Sequence, residues 1–274
     1  MTDKSGAVRT SLDAPRSILE IVLDRPSRRN ALTPEMLAAL RVALVGVSAE
    51  GSRGASPRAV LLRGEGEFFC AGFDMTLCRE SPDGSVLREL LTGLSGVILA
   101  MRQLDVPVII VVQGGAIAGG CALLGGADVV VAEPDAKLGY PVARLGISPA
   151  VSGPFLATSV GDGPARRLLL EGRVIAAAEA ARVGLVELAP PGGALSLAWS
   201  RAEQLAQHPA HAVLETRRWL DHLNAGRTGR DAASQALGVS LSLTGGPEER
   251  ELLPSAWAAK STTKSTGKDA GTGT

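Results

Sequence analysis

Aromatic residues are scarce in this chain: one tyrosine, three tryptophans and four phenylalanines among 274 residues. That excludes an aromatic-rich core and leaves Ala, Val and Leu to fill it, a composition that suits helices packed closely on a sheet. Net charge is missing too. Twenty-eight basic residues cancel 28 acidic ones, so no global field draws the molecule to nucleic acid or to an anionic membrane, although a local basic cluster can still hold a phosphate. The three cysteines, Cys70, Cys78 and Cys121, form no C-x-x-C and cannot all pair, which excludes a disulfide scaffold and fits a reducing compartment. His208, His211 and His222 come late and match no metal-binding spacing; surface or packing roles, and no metal, are expected of them. No apolar run reaches the roughly 20 residues that a membrane span needs. The first fifteen residues lack the apolar core of a secretion signal. A cytoplasmic protein with no membrane contact is expected.

What is present alternates. "SILEIVLDRP" has strand periodicity and stops at Pro26; "TPEMLAALRVALVGVSAEG" has helical periodicity, with Thr33 as N-cap, Pro34 in the first turn and Gly51 past the end. "RAVLLRG" reads as a strand entering a glycine-rich loop, 86–104 as a helix, "VPVIIVVQ" as a buried strand, and "ADVVVAEPD" as the next strand. Between the last two, a short helix begins near Gly119, with room for about two turns, less than a full βαβ crossover needs. After residue 150 the pattern is helical over 164–171, 176–183, 194–207, 210–225 and 230–243, with "GLVEL" as one short strand. The fold class is therefore α/β with mostly parallel pairing. The expected organisation is a flexible N-terminus (1–16), a core (17–195), a helical C-terminal region (196–258) and a disordered polar tail (259–274).

The stretch "VVQGGAIAGGCALLGGAD", residues 111–128, holds three glycine pairs and no charge before Asp128. Three readings compete. Gly114-x-Ala116-x-x-Gly119 approximates a dinucleotide fingerprint, with Glu133 or Asp135 as the ribose acid. Small residues alone would let a short helix lie close to a neighbouring backbone. An oxyanion site would use the N–H groups of the first helical turn, which have no intrahelical partner and carry the positive end of the dipole. Such a site needs a second donor, and "GEGEFFCAGFDM", residues 64–75, supplies a turn that can aim one.

Together the two stretches resemble the crotonase superfamily of enoyl-CoA hydratases and isomerases. The first family signature, F-x-A-G-x-D, is here Phe69-Cys70-Ala71-Gly72-Phe73-Asp74. The second, P-V-I-x-x-V-x-G-x-x-x-G-G-G-x-x-L, runs from Pro107 to Leu123, with Ala118 in place of the first glycine of the triplet. "LDRPSRRNALTPEML", "DVVVAEPDAKLGYPVARLGISP" and "RLLLEGRVIAAAEAARVGLVEL" continue the likeness in order, from about residue 17 to about 225. The resemblance implies a ββα spiral core with a helical C-terminal trimerisation region, assembled as a homotrimer or a dimer of trimers. It implies an acyl-CoA partner, with coenzyme A entering as part of the substrate and no separate cofactor. The backbone N–H groups of Phe73 and Gly119 would form the oxyanion hole. Arg29 would meet CoA phosphate, with Arg25 and Arg28 nearby, and Ala31 and Ala71 would lie beside the adenine. Gly72, Asp74, Gly120, Tyr140 and Val142 complete the expected binding set, although Asp74 also reads as a local turn acceptor. Met75, Leu77, Val86 and Leu90 suggest an apolar acyl pocket.

The pattern breaks where family members carry acids. The two hydratase glutamates fall here on Ala122 and Val142, and the isomerase-type acid on Ala150. None of these side chains moves a proton, and general acid–base catalysis needs a titratable group within hydrogen-bond reach. Ordinary two-glutamate hydration is therefore not expected. The open types are isomerisation with an acid from elsewhere, decarboxylation and thioester cleavage, or a non-catalytic binding or structural role. Tyr140, Asp74, Glu80, Asp83 and Glu89 are the candidate substitutes. Cys121 reads as packing. Ser148 and Ser152 could orient a polar acyl group, though each stands where a local cap is expected.

Overall fold

The computed structural model describes residues 7–50 and 56–253. In chain order the elements are β1 (Val8–Asp13), β2 (Ile18–Leu23), α1 (Pro34–Glu50), β3 (Ala59–Gly64), α2 (Met75–Glu80), α3 (Ser85–Arg102), β4 (Val108–Val112), β5 (Gly115–Ile117), α4 (Gly119–Leu123), β6 (Val129–Ala132) and β7 (Lys137–Gly139). Then follow α5 (Gly153–Val160), α6 (Asp162–Glu171), β8 (Val174–Ala176), α7 (Ala177–Arg182), β9 (Glu187–Leu188), α8 (Ala194–Gln207), α9 (Ala210–Leu223), α10 (Ala225–Thr228) and α11 (Arg230–Leu243). A last helical stretch covers 247–253. Thr33 caps α1 as expected, its Oγ1 accepting from Met36 N at 3.2 Å. The expected stop at Gly51 and the expected disordered tail lie outside the described residues.

The main sheet has the order β1-β2-β3-β4-β6-β9, parallel except for the β1–β2 pair. Residues 8–13, expected to be part of a flexible N-terminus, instead form β1. "VRTSLD" carries no apolar alternation because β1 is a solvent-exposed edge strand. Its backbone ladder to β2 holds it, helped by Arg9, which bridges Asp24 and Glu65 on the neighbouring loops.

Strands β3 and β4 are buried on both faces. Val60, Leu62, Val108 and Ile110 point into the larger core with α1 and α3, while Leu61, Ile109 and Val111 point the other way. That second layer is α8, which presents Ala194, Ala198, Ala202 and Ala206. A residue every fourth position lies on one helix face, so this alanine stripe seats α8 close on the sheet. Helix α8 therefore belongs to the core, not to the C-terminal region beginning at 196. The later helices pack on α3, on α5 and on the tight turn Pro149–Ser152.

A second sheet, β5-β7-β8, stands apart from the first and is parallel between β5 and β7 and antiparallel between β7 and β8. It carries the glycine turn. Among the described residues no helix is long and apolar enough to cross a membrane.

Candidate active site

Two turns meet where the sheets separate. The loop after β3 is stitched to β5: Phe69 N donates to Gln113 O at 2.9 Å, Cys70 N to Gly115 O at 3.2 Å, and Ile117 N to Cys70 O at 3.0 Å. Gly72 has φ +93°, and a Cβ there would stand 2.8 Å from Ile117 O, so both conformation and space demand glycine. Leu32 then bonds both neighbours of Phe73, its N–H donating to Gly72 O and its carbonyl accepting from Asp74 N. Phe73 is left with its own N–H turned away from Leu32, and among the described residues it has no acceptor.

The second turn runs from β5 into α4. Ala118 N donates to Gly139 O at 2.8 Å, which fixes the turn to β7. Ala118 itself adopts φ 52°, ψ −114°, a region that L-residues rarely occupy. Gly119 opens α4, and its N–H likewise has no acceptor among the described residues. The turns touch: a Cβ on Gly72 would lie 3.4 Å from Gly119 N, and one on Gly119 would lie 3.0 Å from the Phe73 ring.

Both turns border one cavity of about 150 Å³. Of the residues singled out from sequence, Ala71, Phe73, Gly119, Tyr140 and Val142 line it, as does Ala122. Met75 also lines it, but Leu91 and Leu94 take the places expected for Leu77, Val86 and Leu90. Among the described residues the wall contains no Asp, Glu, His, Lys or Arg. Ala150 is not on it, although Pro149 and Val151 are. A larger open cleft of about 570 Å³, bearing Arg102, Asp128 and Glu187, shares no residue with the two turns.

The candidate proton carriers are otherwise engaged. The Tyr140 hydroxyl donates to Cys121 O at 3.1 Å, and burial holds its pKa well above the ordinary phenol value. Asp83 is tied to Ser81 and Ser85, whose hydrogen bonds hold it at about 2, and Glu80 and Glu89 are exposed away from the cavity. The Cys70, Cys78 and Cys121 thiols are buried and unpaired, and desolvation pushes each to about 12, which excludes a resting thiolate nucleophile.

Asp74, expected in the binding set, is not on the cavity wall. Its carboxylate caps α2 by accepting from Thr76 N at 3.1 Å and pairs with Arg25 Nη1 at 2.8 Å. Burial alone would raise its pKa, but the Arg25 and Thr76 hydrogen bonds and the Arg25 charge outweigh burial and hold it below the usual value. Arg25 is thereby removed from the phosphate-binding set, and it also donates to Ala31 O. Gly72 and Gly120 stand behind the wall rather than on it; a Cβ on Gly120 would come within 2.4 Å of Cys70 O, so its role is packing. Arg29 remains exposed in a left-handed conformation, its guanidinium 5.7 Å above the Phe68 ring and without a carboxylate partner among the described residues. Ala31 is half-buried at the same turn.

Sequence reasoning missed Asn30, which is fully buried at φ 53°. Its Nδ2 donates to Glu65 O and Phe68 O while Oδ1 accepts from Arg25 N, so one side chain ties the basic turn to the glycine loop. The available signal was an asparagine after two arginines, the residue that best tolerates the left-handed region after glycine. The expectation that Ser148 and Ser152 act as caps is overturned. Neither hydroxyl makes a cap bond, and both line the cavity. The dinucleotide reading fails as well. Gly115–Ile117 pairs as a strand, α4 is only five residues long, and Glu133 is consumed by the N–H groups of Gly192 and Ala194.

Comparison with known proteins agrees with this architecture. The enoyl-CoA hydratase/isomerase family model matches residues 13–238. A putative enoyl-CoA hydratase of Thermus thermophilus is 35% identical over 203 residues, 73% of this chain and 79% of the relative. The cyclohexa-1,5-dienecarbonyl-CoA hydratase of Thauera aromatica is 32% identical over 200 residues, 73% and 74% of the two chains. The crystal structure of an enoyl-CoA hydratase/isomerase from Xanthobacter autotrophicus superposes with a TM-score of 0.81 at 26% identity, covering 94% of this chain and 98% of that one. A split signature joined across two sheets, the sequence match over most of the chain and the shared fold place this protein in the enoyl-CoA hydratase/isomerase family, the crotonase superfamily.

Proposed function

We propose that this chain binds an acyl-CoA thioester and stabilises the enolate or oxyanion that develops on its carbonyl oxygen. The observation that carries this reading is the pair of unpaired main-chain N–H groups, on Phe73 and Gly119, in two touching turns at one apolar cavity. Two fixed donors meet the growing negative charge without reorganising water, and losing one typically costs about 10²- to 10³-fold in rate. The exposed Arg29, with no carboxylate partner among the described residues, suits a CoA phosphate. Coenzyme A enters as part of the substrate, with no separate cofactor.

The wall supports a reading of the reaction type. With no carboxylate on it among the described residues, two-glutamate hydration lacks both its acid and its base. Decarboxylation of a malonyl-type thioester suits this wall best, because the departing CO₂ leaves the enolate behind with no base needed to remove a proton, and the enolate then takes one proton from water at its α-carbon. Isomerisation would need an acid from outside the wall, and thioester cleavage an activated water. The same bare wall also favours a second reading, a paralogue that binds thioesters without turnover.

Incubation with crotonyl-CoA, methylmalonyl-CoA and a 3-enoyl-CoA, followed by absorbance and mass, tests the proposal. Turnover of one of them is expected, falling about 10²- to 10³-fold in Gly119→Pro, which deletes the amide. Gly119→Ala keeps the N–H while placing the same Cβ 3.0 Å from the Phe73 ring, so it should lose clearly less activity than the proline variant. Binding without turnover selects the second reading. Failure of every thioester to bind, or equal losses in both variants, overturns the oxyanion assignment.

A further inference from the structure

We infer that Ser148 and Ser152 are specificity-determining residues that hold an oxygen atom carried on the acyl chain. The inference deepens the thioester reading and rests on it. Ser152 is only 5% exposed, yet its hydroxyl has no hydrogen-bond partner among the described residues, and it lines the cavity. Ser148, four residues earlier, is half-buried, lines the same wall and is likewise unpartnered. Ser148 has the extended backbone of a capping residue, whose hydroxyl ordinarily turns to the N–H groups ahead of it, yet it makes no such bond. Ser152 is helical, at φ −84° and ψ −24°, where the backbone offers its hydroxyl no cap bond.

The rest of the wall is apolar or engaged. Met75, Leu91, Leu94 and Ile147 contribute hydrocarbon, and Tyr140 is already spent on Cys121. Ser148 and Ser152 are thus the free side-chain hydroxyls of the pocket. The turn bearing them is held in place from outside: Ser240 Oγ, on α11, donates to Ser148 O at 2.9 Å and accepts from Val151 N at 3.3 Å. The hydroxyls therefore belong to a fixed turn. A plain hydrocarbon acyl chain would expel water from them and leave them buried without partners, a penalty that an oxygen-bearing chain avoids. The shared chemistry is an acceptor oxygen on the acyl group, whether a neutral hydroxyl or oxo group or a carboxylate.

Binding of length-matched thioesters distinguishes these sources and tests the inference: butyryl-CoA against 3-hydroxybutyryl-CoA, and propionyl-CoA against methylmalonyl-CoA, by calorimetry with the recovered thioester checked by mass. At least one oxygenated member is expected to bind about 10- to 100-fold more tightly than its hydrocarbon partner. That ratio should fall severalfold in Ser152→Ala and to about 1 in the double variant Ser148→Ala/Ser152→Ala, both with wild-type circular dichroism. Preference for the hydroxylated member alone assigns a neutral oxygen, and for methylmalonyl-CoA alone a carboxylate. Equal affinities within both pairs, or a preference surviving in the double variant, would overturn the inference while leaving thioester binding intact. If butyryl-CoA and propionyl-CoA also fail to bind, the underlying thioester reading falls first and this one with it.

Discussion

At the scale of single residues, the site is governed by positions where backbone conformation overrides side-chain identity. Ala118 occupies φ 52°, ψ −114° where the family signature has glycine. Ala118→Gly should relieve this strain and stabilise the protein by about 1 kcal/mol, less whatever entropy the glycine adds to the unfolded chain. Equilibrium urea unfolding measures it, and a destabilisation would show that the turn is unstrained. Asp74 gives a pH signature. Its pKa is depressed in the folded state, so its contribution to stability is full above the unfolded value of about 3.9 and is lost as pH falls through the folded value. Asp74→Asn should unfold more easily at pH 7, by about 1–3 kcal/mol, since Arg25 is left without its carboxylate. The variant should also lose part of the wild-type decline in stability on acidification below about pH 5. Thermal melts from pH 7 to pH 3 would show both, and parallel curves for the two proteins would rule the linkage out.

Among elements, legibility tracked length and burial. Long helices such as α3 and α8 declare themselves by periodicity, and β3 and β4 by β-branched and leucine runs. The three strands of the second sheet, "GAI", "KLG" and "VIA", are three residues each, too short for alternation to register. They exist because distant segments pair. Strand β1 was hidden for another reason: an exposed edge needs no apolar face. The site divides in the same way. Side-chain positions such as Ala122 and Val142 could be placed from motif spacing, whereas the engagement of Asp74 by Arg25 and the unbonded hydroxyls of Ser148 and Ser152 depend on contacts across the fold. The alanine stripe of α8 carries its own expectation. Ala198 and Ala202 are fully buried against β3 and β4, so Ala202→Leu should overpack the layer and cost about 1–3 kcal/mol, read as a lower denaturation midpoint with an unchanged slope. A tolerated leucine would mean that α8 sits farther from the sheet than described.

For the molecule as a whole, α9 leaves Trp219, Leu220 and Leu223 more than half exposed. Scattered apolar residues need no explanation, but a contiguous patch on one helix points to a partner surface. Together with the family resemblance this patch motivates a proposal, that the protein assembles as a trimer or a dimer of trimers through its C-terminal helices. Light scattering coupled to size exclusion should return a multiple of three chains. Replacing Trp219 and Leu223 with glutamate should shift the particle toward single chains.

The Phe73 and Gly119 donors are peptide hydrogens, and that has an evolutionary reading. Among encoded residues only proline lacks this hydrogen, so nearly every mutation at either codon leaves the donor in place and alters only what surrounds it. If the two donors do hold an oxyanion as proposed, a lineage could change every side chain of the chamber and try new substrates while they pass unchanged from ancestor to descendant.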